Sequence, residues 1–433
     1  MPWLAGLAAI CIAAPASAQP VEVAPLTAPD LFSAAARDTG LPQDLWRGAS
    51  AATYRAVVPA LADKPLSPAT RALALRVLAT GAPGPEGAGG DADLAGARLR
   101  ALIALGDVGG ARSIVARTPN PERAPALAEA AAETALLSGE DDRACQIGDA
   151  LAERRDGIYW LRLRAYCRLR AGQTGAAQLT FELAQSQARD AVYGRLMGAK
   201  IAGAGDPGAA SLRNGLDYAL SRSLGLDLAA GKPSPAVAAA LSGSPPSAPT
   251  WPFKRSDSPV SAGMAAVATG DLANAEQIRA GLLQDQIPGA TADDLALLDA
   301  MLAVARGRAD GPTLDRLVER GGFGEAKARA RLQAAAVILA GSGWPMDADA
   351  RGALARLAAV EAKAAPARLL AMDLAADGKL MGETALQALA IAADAGPAGP
   401  AAGDRARIVH ALRAAGLEDE ARAFALEGLI ALR

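Results

Sequence analysis

Residues 139–177 read GEDDRACQIGDALAERRDGIYWLRLRAYCRLRAGQTGAA. The stretch opens and closes on one signal: Gly139-Glu140 with Ala144 five residues after the glycine, then Gly172-Gln173 with Ala177. The signal recurs on both sides, as Gly106-Asp107 with Ala111 and as Gly205-Asp206 with Ala210, at intervals of 33 residues. It returns at Gly270-Asp271 with Ala275 and, more weakly, at Gly416-Leu417 with Ala421. Glycine takes the left-handed conformation that closes a helix, and a polar residue then opens the next one. An alanine one turn into that second helix lets the pair approach closely, at about 8–10 Å between axes. A period near 33 residues with a turn in the middle predicts helical hairpins, and a lone hairpin cannot cover its own apolar stripe.

The composition agrees. Of 433 residues, 112 are alanine and 15 aromatic, and β-branched alternation is almost absent. Alanine and leucine are strong helix formers, so about twenty short helices are expected. Cap-plus-proline pairs mark starts at Ser67-Pro68, Asn120-Pro121 and Ser234-Pro235. Forty-four Lys+Arg against 46 Asp+Glu leave a formal charge of −2, which excludes a global pull toward nucleic acid or anionic lipid. The predicted class is all-α, a right-handed solenoid of stacked antiparallel hairpins.

Residues 1–18 read as a cleaved secretory signal peptide. A short uncharged run from Leu4 to Ala14 precedes Ala16-Ser17-Ala18, with small residues placed for cleavage after Ala18. That run is too short to cross a bilayer, which takes about 20 apolar residues. An extended tail over 19–29 follows, then an N-terminal helical lobe over 30–242. The stretch GSPPSAPTWPFKRSDS at 243–258 holds four prolines and reads as the linker to a C-terminal lobe over 259–433. The protein is therefore expected in the periplasm, with secretion the runner-up.

Cys145 and Cys167 stand at equal distances from Asp156-Gly157, the expected turn between two antiparallel helices. Their sulfurs can then face each other, and export favours a disulfide. Two buried free thiols are the other reading.

Catalytic signatures are absent. No GxSxG elbow is present, and His410, the only histidine, lies in an Ala/Leu-rich helix. Gly378-Lys379 lacks the upstream glycine of a phosphate loop, and Gly321-Gly322-Phe323-Gly324 follows no strand. No metal site and no cofactor are expected. Two constellations point to partner binding. In the first, Arg162, Arg164, Arg168 and Arg170 interleave with Tyr159, Trp160 and Tyr166. Arginine forks beside amphipathic rings suit carboxylates or extended peptide, although such rings also fill repeat cores while arginines snorkel outward. The second is Trp251 with Phe253 in the Pro-rich stretch, as a loop contact or as rings tucked against a helix.

Gly172-Gln173-Thr174-Gly175-Ala176-Ala177, followed by Phe181 and Ala184, resembles the turn and second helix of a tetratricopeptide repeat. Other copies keep the glycine and first alanine but carry Val115, Gly148 and Arg279 where the aromatic belongs. The likeness covers 91–222 and, in part, 259–283 and 400–433. It implies a scaffold or adaptor that holds another envelope protein or an extended peptide in a concave groove. Alanine-rich superhelical domains also occur in soluble lytic transglycosylases, but that catalytic domain's Glu-Ser signature is missing. A structural spacer of the envelope is the third expectation.

Overall fold

The computed structural model describes residues 30–432 apart from 245, 247–250, 252–258, 285–290 and 359. The residues read as a signal peptide and tail, with cleavage at Ala18, lie outside the described residues, and so does Phe253. The fold is all-α: 21 α-helices and, among the described residues, no strand beyond an isolated bridge between Ser50 and Glu86. None of these helices is long and apolar enough to cross a membrane.

The first eleven helices are α1 (Ala51–Asp63), α2 (Pro68–Ala79), α3 (Ala92–Ala104), α4 (Val108–Val115), α5 (Pro125–Leu137), α6 (Asp141–Ala150), α7 (Ile158–Arg170), α8 (Thr174–Gln187), α9 (Ala191–Ala202), α10 (Gly215–Ser223) and α11 (Pro235–Ser242). Beyond residue 258 come α12 (Pro259–Thr269), α13 (Leu272–Leu283), α14 (Ala292–Ala305), α15 (Gly311–Arg320), α16 (Ala326–Gly341) and α17 (Ala348–Leu354). The last four are α18 (Pro366–Asp377), α19 (Met381–Ala395), α20 (Ala402–Ala414) and α21 (Glu418–Ala431).

The repeated glycines close helices as expected. Gly106, Gly139, Gly172, Gly270 and Gly416 all have positive φ, and the amide after each reaches back to a carbonyl five residues earlier, as Asp107 N does to Leu102 O at 2.8 Å. Ala111, Ala144, Ala177, Ala275 and Ala421 are buried where the second helix meets the first. The copy at Gly205 departs from the expectation. Gly205 has positive φ, yet no helix follows it, and Ala210 lies in a loop. Pro207 and the left-handed Gly208 stop a helix there, and helical structure resumes only at Asn214, whose side chain caps α10. Asn120-Pro121 likewise opens a single 3₁₀ turn, and α5 starts at Pro125 instead. At residue 378 the left-handed position falls on Lys379 (φ 55°), not on the glycine.

Helices pack on neighbours along the chain, next in order or next but one: α3 on α1, α5 on α3, α7 on α8 and α20 on α21. The chain also meets itself across its full length. Helix α19 packs on α1 and α2, and α2 packs on α21. One apolar core therefore runs from Phe32 to Ile430, including helices on both sides of residues 243–258. A second core, from Ala128 to Leu220, holds α5 to α10.

Carboxylates from the last quarter of the chain cap the first two helices. Glu383 accepts from Ser50 N at 3.0 Å and Thr53 Oγ1 at 2.9 Å, at the start of α1. Glu427 accepts from Ala69 N at 2.8 Å, in the first turn of α2, and from the buried Arg405 at 2.8 Å. Negative charge at a helix N-terminus satisfies open N–H groups and the helix dipole together. A third buried charge, Arg98 on α3, is in no ion pair among the described residues. Its guanidinium donates to the carbonyls of Leu78, Phe32, Ala34 and Thr80 at 2.8–3.0 Å. It ties the 32–34 segment to the end of α2.

Candidate functional site

Helix α5 is the floor of the site. Its apolar residues Leu127, Ala128, Ala131, Ala132 and Ala135 are buried, while Glu129 and Glu133, one turn apart, emerge on another side. They open into a cleft of about 780 Å³. Helix α3 supplies one wall with Ala97, Arg100 and Ile103; Ile158, Tyr159 and Trp160 at the start of α7 supply the opposite one. Tyr193, Arg213, Leu216, Asp217 and Pro235 complete the lining. Gly96 makes the close packing of α3 on α5 possible, because a Cβ there would stand 2.7 Å from the Ala126 carbonyl carbon.

The cleft is electrostatically mixed, and its ion pairs are unevenly shared. Arg213 bonds Asp217 at 2.6 Å and Asp190 at 3.1 Å. Arg162 pairs with Asp190 at 3.4 Å and donates to Ala188 O at 3.0 Å; its Nε is buried without a partner. Neither Glu129 nor Glu133 is in an ion pair with an arginine or lysine among the described residues. Glu133 accepts from the Gly215 amide and from Tyr159 Oη at 3.3 Å. Burial pushes its carboxyl up to about 7, against the lowering effect of those two donors, and Glu129 and Asp217 add to the rise. Glu129 is also raised by burial, partly offset by the charge of Arg100. The Tyr159 hydroxyl is pushed well above its usual range by burial and by the neighbouring glutamates.

The structure divides the predicted Arg/aromatic cluster. Tyr159, Trp160 and Arg162 border the cleft. The other members point elsewhere. Tyr166 is fully buried in the second core, with its hydroxyl on Asp141 at 3.0 Å. Arg164 donates to Arg155 O at 2.7 Å, Arg168 to Thr180 Oγ1 and Ala176 O, and Arg170 to Asp142 at 2.6 Å. These three arginines hold loop, helix and hairpin neighbours together. Trp251 is half-buried against the first core. His410 is exposed on α20. Glu129, Glu133 and Arg100 were not singled out by the sequence: an i, i+4 acidic pair in an alanine-rich helix is ordinary until a neighbour closes over it.

Cys145 on α6 and Cys167 on α7 form a disulfide, with Cα atoms 5.5 Å apart. The bond fastens α7, and with it the Tyr159–Trp160 wall, to the helix that follows the floor. Among the described residues no group of three or more His, Cys, Asp or Glu could hold a metal ion.

The chain matches no protein-family model, and neither a curated protein nor a solved structure matches it.

Proposed function

We propose that this chain is a non-catalytic helical-repeat binding protein of the cell envelope, related in architecture to the tetratricopeptide arrays, that holds a segment of another protein in the cleft over α5. The observation that carries the reading is the cleft itself: about 780 Å³, with apolar walls from α3 and α7 and a few convergent polar groups on its floor. Sites of this size and make-up commonly receive a side chain or a short peptide stretch. Tyr159, half-buried and held edge to face at 5.1 Å by Trp160 of the second core, supplies a large rigid surface of the kind that dominates binding energy at interfaces.

A photo-crosslinking amino acid at Asp93, on the rim, tests this in intact cells, with one at the exposed Arg329 on α16 as the remote control. The expected result is one discrete adduct from Asp93 only, suppressed by Ile158→Trp, which fills the cleft. Equal adducts from both positions, or none from Asp93, would end the reading.

A second reading, an enzyme acting on cell-wall glycan, draws on Glu133 being held protonated near neutrality, as a general acid is. Against it, the Gly215 amide and the Tyr159 hydroxyl both donate to Glu133 and so favour its ionised form, whereas a general acid must hold its proton. Clearing of a purified peptidoglycan suspension that Glu133→Gln abolishes would favour the enzyme.

A further inference from the structure

We infer that the cleft over α5 recognises a lysine-like side chain, whose methylenes lie on the apolar walls while its ammonium is received by Glu129 and Glu133. The inference rests on the binding reading above and supplies the chemistry of the ligand. Three observations lead to it.

The cleft has the right division of surface. Ala97, Ile103, Ala130 and Ile158 give an apolar throat, which suits a chain of methylenes and leaves a charged head at the polar end. Tyr159 stands at that end, bonded to Glu133 and backed by the buried Trp160, and aromatic faces stabilise an organic cation.

On the floor helix the charges left without an ion pair, Glu129 and Glu133, are both acidic, while Arg100 and Arg154 elsewhere in the lining are likewise in no ion pair among the described residues. Asp190 and Asp217 are served by Arg162 and Arg213. Glu129 and Glu133 are not, and they sit one turn apart, where two carboxylates repel. Arg100 acts on Glu129 only through space, without a hydrogen bond. Asp93 and Arg154 also line the opening. A bound ammonium would relieve the repulsion that Arg100, acting on Glu129 from a distance, offsets only in part.

The floor is also oriented. The Gly215 amide takes Glu133 Oε1 and the Tyr159 hydroxyl takes Oε2, which fixes the carboxylate plane. Each oxygen keeps a second acceptor direction.

Recognition of this kind is coupled to a proton. The titratable groups around Glu133 are Glu129 on its own helix, Asp93 and Arg100 from α3, and Tyr159, Arg154 and Arg162 from α7 and the loop before it. Tyr193, Arg213 and Asp217 complete the set. Burial pushes the Tyr159 and Tyr193 hydroxyls up, so both stay neutral between pH 6 and 8. Glu133 changes in that window, from mostly neutral to mostly ionised. An ammonium binds the ionised form, so its affinity rises with pH, by about tenfold if only that form binds.

The test uses two blocked pentapeptides, Ala-Ala-Lys-Ala-Ala and the same peptide with norleucine in place of lysine, titrated calorimetrically at pH 6 and pH 8. Wild-type protein should bind the lysine peptide about tenfold more tightly at pH 8, with no such change for norleucine. Glu133→Gln should flatten the pH dependence, and Glu129→Gln should weaken lysine binding at both pH values. A thermal melt checks that each variant is folded. Equal binding of the two peptides, a flat profile in wild type, or no binding of either overturns the ammonium assignment. The two readings separate cleanly: norleucine binding that Ile158→Trp blocks, or a persisting Asp93 adduct in cells, keeps the cleft as a partner site while removing the cation.

Discussion

Arg98 shows how much one side chain can hold. It is fully buried, and each of its four hydrogen bonds ends on a main-chain carbonyl. Arg98→Met keeps the aliphatic volume but leaves those carbonyls without donors. We expect a loss of about 3–5 kcal/mol in urea-induced unfolding, since each buried unsatisfied group costs about 1–3 kcal/mol. A loss under about 1 kcal/mol would mean that water replaces the guanidinium. Glu133 offers a residue-scale test of pH dependence. Its folded-state value, about 7, lies above the ordinary glutamate value, so the native state binds the extra proton. Its contribution favours folding at low pH and is lost as pH rises from about 4.5 to about 7. Glu133→Gln should therefore raise the melting temperature more at pH 8 than at pH 4.5, and an equal shift at both would contradict the assignment. Neither residue stood out in the sequence. A buried arginine looks like any surface arginine until tertiary contacts enclose it, and the same holds for a glutamate roofed by another helix.

Hairpins are where the sequence was most legible. A glycine at the left-handed position and a small residue five places later are local requirements, so they appear locally, and at five of the six glycines the expected second helix follows. The Gly205 copy fails because Pro207 and Gly208 are also local, and they win. The Cys145–Cys167 pair was legible for the same reason: both ends of one hairpin lie close along the chain. Replacing both cysteines by serine frees a loop of about 23 residues and should cost about 3 kcal/mol on the chain-entropy model. The loss should concentrate in the second core, read as faster amide exchange in α6 and α7 with α19–α21 unchanged; uniform loosening of the whole chain would contradict this. The cleft was only half legible. Tyr159, Trp160 and Arg162 announced themselves by composition, but which ring faces inward depends on helix rotation, and Tyr166 turned to the core.

At the scale of the whole molecule, the periodic pattern carried no sign that α19 and α21 would pack on α1 and α2. Pairing between elements more than 300 residues apart leaves no trace in a 33-residue period, and the capping glutamates look like ordinary surface acids. The contact is nonetheless rich in charge: at the far ends of α1 and α2 from the caps, Lys64 meets Asp394 at 2.7 Å and Arg76 meets Glu420 at 2.5 Å. Glu427→Ala would strand the buried Arg405 and open the first turn of α2. A loss of about 3–5 kcal/mol is expected, as for other broken buried pairs. Unfolding followed at Trp46, in the first core near α19, reports it; an unchanged midpoint would show the closure to be weak.

That closure has a consequence for biogenesis. Ser50 and Glu383 are separated by 333 positions, and Ala69 and Glu427 by 358. Helices α1 and α2 leave the ribosome long before the groups that complete them exist. Local turns can form early, with Ser50 and Ser67 capping their own helices, but the amides of Ser50 and Ala69 stay with water until residues 383 and 427 are made. Such long-range closure slows folding. A chain whose first pieces finish last is held open for the whole of its synthesis, a state suited to handling by a chaperone.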